Sequence, residues 1–131
     1  MQNLSLQLLA ACLGIIFFFS ILLAPMVFKV LNKESASLYL RNFFPRFYIS
    51  LALLCAIAGG VNPEPFESGL IFLCSALFLL SRWPLTPAIN KATDNQNKKL
   101  FTTLHGLSVL ILVTQLVIIF TILLNSYVNI I

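Results

Sequence analysis

Apolar positions fall along the chain in four long runs set apart by short charged or turn-forming stretches. The runs extend from Met1 to Phe28, from Phe47 to Pro63, from Ser68 to Ser81 and from Leu100 to Ile131, with His105 near the start of the last. A helix needs about 20 residues to cross ~30 Å of hydrocarbon, so the first and last runs suffice alone. The two middle runs are shorter. Arg46 and Arg82 at their edges can lay their stems along apolar surface and keep their guanidinium groups among the headgroups, which lengthens each span. The pattern predicts an all-α integral membrane four-helix bundle forming a single domain, with spans at about residues 5–28, 47–61, 68–84 and 105–127.

Local signals fill in the connections. Gly14 and Ser20 are small residues that let a neighbour approach the first helix closely, and Pro25 predicts a kink over residues 21–24. In the first basic stretch, Lys29 to Arg46, Asn32 suits a helix cap. Leu40, Phe43, Phe44 and Phe47 recur at helical spacing, giving an apolar face that lies on the membrane surface or extends the second helix. Pro45 is expected to interrupt that helix where the chain enters the bilayer. Gly59-Gly60 closes the second span, and a tight acidic turn with Glu64 and Glu67 leads into the third. Arg82 and Trp83 form an interfacial anchor at its end. A second basic loop is expected over Pro84 to Leu100, within which Thr86-Pro87 and Thr93-Asp94 both look like helix starts, with the fourth helix running from near Asn95 or Gln96 to Tyr127.

Charge turns this arrangement into a topology. Only 9% of residues are charged and 60% are hydrophobic, against about 25% charged in a soluble domain. All eight Lys and Arg lie in or beside the first and third connections. The excess of Lys and Arg on one side places both basic loops in the cytoplasm and both termini outside, in an inner membrane. Met1-Gln2-Asn3 lacks a basic n-region, so the first run is expected to be a retained helix rather than a signal peptide. Attraction of the basic loops to anionic lipid accounts for them better than nucleic acid does.

Shifting the sequence by 58 residues lays Asn32-Lys33 on Asn90-Lys91, Arg41 on Lys99, Phe43 on Phe101 and Ser50 on Ser108. A parallel repeat of residues 1–60 and 66–131 is one explanation and chance is another; a real repeat would pair the stretch from Phe44 to Phe47 with the stretch from Thr102 to His105.

Candidate chemistry centres on the lone His105. Imidazole ligates metals and titrates near neutrality. Against this, no second histidine exists, no Asp or Glu lies within an expected span, and Cys12, Cys55 and Cys74 lack ligand spacing. The three cysteines read as small buried hydrophobes. His105 then serves to hold helices together or to anchor the fourth helix, or else handles a proton or polar solute, and no cofactor or catalytic residue is expected. Ser108 and Gln115 lie seven residues apart on one helix face, a sparse polar stripe suited to holding helices together. The expected role is non-enzymatic: solute handling or support of a membrane complex, as a homo-oligomer or with a membrane-protein partner. The alternative is a haem- or metal-dependent membrane oxidoreductase using His105.

Gly14 with Phe18 and Phe19, Pro25 with Phe28, the pair Phe44-Pro45, and Phe101 with Leu104-His105-Gly106 and Ser108 together resemble the transmembrane protein 205-like family. Its bacterial members are small four-span proteins without an assigned function, and the resemblance covers nearly the whole chain. It implies a four-span fold and a link to membrane stress and to drug or metal resistance. It also marks Phe44, Pro45, Pro25, Phe101, His105 and Ser108 as the positions to examine. The chain departs from the pattern at Phe47, where a tyrosine is usual and here follows as Tyr48, and at Leu112, where the family carries asparagine.

Overall fold

The computed structural model describes residues 2–130, which form four long helical rods joined by three short turns. The first rod is α1 (Gln2–Phe17), a wider π-helical segment (Phe18–Leu23) and α2 (Ala24–Val30). The second is α3 (Lys33–Val61). The third comprises α4 (Pro65–Leu80), a second π-helical segment (Ser81–Leu85) and α5 (Thr86–Asp94), and the fourth is α6 (Lys98–Ile130). All four are long and apolar enough to cross a membrane. Their outward faces carry large apolar side chains such as Ile21, Phe28, Leu110 and Val128. Such a surface is unsuited to water and fits lipid, and the protein is a helical multi-pass membrane protein.

Both π-helical segments lie beside prolines. A proline has no N–H and its ring collides with the carbonyl four residues earlier. In the first rod the N–H of Ala24 reaches back five residues to the carbonyl of Phe19, just ahead of Pro25. In the third rod Thr86 does the same toward Ser81, and its hydroxyl donates to that carbonyl at 2.6 Å. An inserted residue thus absorbs the proline without ending the helix.

This corrects two expectations. The stretch from Pro84 to Leu100 is not an open loop: helix continues through Pro84 to Asp94, and the connection shrinks to residues 95–97. The turn closes on Gln96, at φ 55°, and on Asn97, whose side chain accepts the N–H of Leu100 at 3.1 Å. Nor does Pro45 interrupt α3, which runs unbroken from its cap, where Asn32 accepts the Ser35 N–H at 2.7 Å. Beside Pro45 the Arg46 guanidinium donates to the carbonyl of Asn42 at 3.1 Å.

The second and third rods pack most extensively, and the fourth is the least covered. Ala52, Ala58 and Gly59 allow the close approach; a Cβ added at Gly59 would meet the Phe72 ring at 3.2 Å. Leu9, Ile16, Leu51, Ile71, Phe78 and Ile119 fill the interior, together with all three cysteines. At the end opposite the basic turns a polar latch ties three elements. Ser5 donates to the carbonyl of Ala58 at 2.9 Å, and Asn62 donates to Ser5 at 3.1 Å and to Glu67 at 3.3 Å.

Candidate functional site

At the basic end, helical spacing on α3 brings Phe43, Phe44, Phe47 and Tyr48 against the first rod. The π-helical segment turns Phe19 inward, and its ring lies 4.9 Å from Phe43, 5.4 Å from Phe44 and 4.9 Å from Phe47, centre to centre. Phe44 in turn stacks on Tyr48 at 5.8 Å. The result is an aromatic knot between the first two rods. From it the Tyr48 hydroxyl reaches Ser108 on α6 at 3.4 Å, bridging the second and fourth rods.

Of the residues singled out from sequence, the structure therefore joins Phe44, through Tyr48, to Ser108. Pro45 lies on the same turn of α3, and Pro25 supports the site only indirectly, by imposing the π-helical segment that carries Phe19. Phe101 and His105 stack on each other at 5.6 Å along one face of α6, with His105 exposed and away from the knot. Gln115 is buried more deeply, donating through Nε2 to the carbonyl of Cys74 at 2.9 Å, while its Oε1 has no partner among the described residues.

Several features were missed from sequence. Cys12 and Cys55 meet in the bundle centre, with sulfurs 3.9 Å apart. Residues separated by 43 positions in sequence carry no local sign of such a meeting. Arg41 forms a two-pronged ion pair with Asp94, one bond measuring 3.1 Å, that clamps α3 to α5. The guanidinium beside Asp94 holds its carboxyl below the usual carboxylate range. It is the only salt bridge among the described residues.

Chemically the arrangement is one of cross-braces. Ser5, Ser68, Ser75 and Gln115 each spend a donor on a backbone carbonyl, which is how polar side chains hold helices together in hydrocarbon. Among the described residues no group of three or more His, Cys, Asp or Glu is placed to hold a metal ion.

Comparison with known proteins adds a family but no activity. An uncharacterised protein of Aquifex aeolicus (strain VF5) is 32% identical over 114 residues, covering 82% of each chain. No solved structure matches. The family match covers residues 7–98, taking in the aromatic knot, all three cysteines and the Arg41–Asp94 clamp, and stopping short of Phe101 to Ser108. The chain belongs to the family described as a domain of unknown function (DUF4149).

Proposed function

We propose that the protein is a non-enzymatic inner-membrane component that supports a membrane assembly or handles a small solute, working as a homo-oligomer or with a membrane-protein partner. The observation that carries this reading is the use of the interior polar groups: Ser5, Ser75 and the Gln115 amide nitrogen each donate to a carbonyl of another rod, which braces the interior. The likeness to the transmembrane protein 205-like family supports the same reading. In this arrangement both basic turns face the cytoplasm, where they attract anionic lipid, and both termini lie outside.

Cross-linking of lysines in native membranes, followed by mass spectrometry, tests it. Links from Lys98 or Lys99 to a second copy or to another membrane protein are expected; a chain that links only within itself would overturn the assembly role. Reporter fusions after Asn95 should read as cytoplasmic and those after Ile131 as periplasmic.

The haem- or metal-dependent alternative is disfavoured by the position of His105, exposed and stacked on Phe101 without a second ligand side chain beside it. A colourless, metal-free preparation in mild detergent is expected. A Soret band lost in His105→Ala would reverse that choice.

A further inference from the structure

Two open-sided grooves on the outside of the first two rods meet at a single ring. One, of about 440 Å³, follows a face of α3 bearing Ser35, Tyr39, Asn42 and Arg46, which recur at helical spacing. The other, of about 460 Å³, descends the first rod past Leu23, Phe18, Gly14 and Ala11 and is lined wholly by apolar side chains and glycine. Phe43 lines both; both are largely apolar, and the few polar groups of the path, Ser35, Asn42 and Arg46, all belong to the first.

Arg46 gives the polar part its sign. It is exposed, has no ion-pair partner among the described residues, and donates one recorded bond, to the carbonyl of Asn42 on its own helix. Its other donors remain available, and no carboxylate lines either groove. A guanidinium with free donors is the side chain best matched to a phosphate oxygen pair. The apolar part has the right length: from Leu23 to Ala11 the rod rises about 18 Å at 1.5 Å per residue, against ~15 Å of hydrocarbon in one leaflet. The trough is open at Gly14, where a Cβ would meet nothing within 4 Å.

We propose that this path is a binding site for one anionic phospholipid, its headgroup phosphate held by Arg46 and Asn42 and one acyl chain lying along Phe18, Gly14 and Ala11. The site rests on the reading that the basic end lies at a membrane surface rich in anionic lipid. It goes further in assigning a single seat rather than a diffuse attraction.

Native mass spectrometry of the full chain in mild detergent, with phosphatidylglycerol and phosphatidylcholine as probes, tests the assignment. One phosphatidylglycerol should stay bound, retained about tenfold better than phosphatidylcholine. Arg46→Gln should lower that retention about tenfold, the loss expected when a hydrogen bond to a charged group is removed. Gly14→Leu should obstruct the acyl trough and lower retention while leaving the melting temperature unchanged. Lys98→Gln, which removes one positive charge beside the turn between the third and fourth rods, should leave retention as it was. Equal losses in Arg46→Gln and Lys98→Gln would overturn the seat while leaving diffuse attraction standing. Undiminished retention in Gly14→Leu would overturn the acyl path. Equal retention of both lipids by the unaltered chain would overturn the site and the broader reading together.

Discussion

Replacing Phe19 by alanine should loosen the contact between the first two rods by about 2–3 kcal/mol, less than the same change costs in a water-soluble core. There, Phe→Ala costs ~3–5 kcal/mol, part of it lost transfer out of water. In a bilayer that part vanishes, because lipid tails are as apolar as the protein interior. What remains is packing. Phe19 is only 9% exposed and meets three rings at 4.9–5.4 Å. Aromatic pairs contribute about 0.5–1.5 kcal/mol each beyond area, and neighbouring contributions do not add fully. Equilibrium unfolding in mixed micelles, titrated with a denaturing detergent, would measure the loss. Phe19→Leu keeps apolar bulk and should cost about 1 kcal/mol. A double-mutant cycle of Phe19→Leu with Phe43→Leu should return a coupling of ~0.5–1.5 kcal/mol. A cost below about 0.5 kcal/mol for Phe19→Ala, with no coupling to Phe43, would show that the knot does not hold the rods together.

Other expectations concern the braces. Asn62→Leu removes donors to Ser5 and Glu67 and should cost about 1–2 kcal/mol by the same titration, in the upper part of the range for interhelical hydrogen bonds in membranes. The Asp94 carboxyl is held below its usual range by the Arg41 hydrogen bond, so the clamp is at full strength above the unfolded carboxylate pKa of about 4 and is lost as pH falls through the lower folded value. Asp94→Asn should therefore flatten the acid limb of a stability profile. Raised salt should weaken the unaltered protein and leave the variant unaffected, since both partners are partly exposed. Copper-phenanthroline treatment should join Cys12 to Cys55 within one chain, whose sulfurs lie 3.9 Å apart. The product should vanish in Cys12→Ser and persist in Cys74→Ser; failure to form it would refute the packing of α1 on α3.

What could be read directly from sequence was whatever hydrocarbon imposes locally. Four rods follow from the lengths of the apolar runs, and the grouping of basic residues at one end follows from the positions of Lys and Arg. The face carrying Phe43, Phe44 and Phe47 was legible from spacing on a single helix. Its partner Phe19 was not, because the π-helical segment shifts the first rod out of the regular helical register. Pro45 reads as a break since proline excludes a regular turn, yet α3 runs through it. The link from Tyr48 to Ser108 and the meeting of Cys12 with Cys55 arise from how rods lie against one another, which no single segment encodes. Conversely, His105, the most conspicuous residue in the sequence, lies outside the knot.

The two widened turns give the ends of the bundle different mechanical characters. At the far end, Ser5, Asn62 and Glu67 pin α1 to the turn between the second and third rods. Toward the basic end, the first and third rods each hold one surplus residue ahead of or around a proline, in a turn whose hydrogen bonds already reach back five positions. Such a turn takes in the proline within a continuous helix, so no run of backbone is exposed to lipid there. The far end is thus pinned by hydrogen bonds, whereas the basic end is held by stacked rings and one ion pair, the aromatic knot and the Arg41–Asp94 clamp.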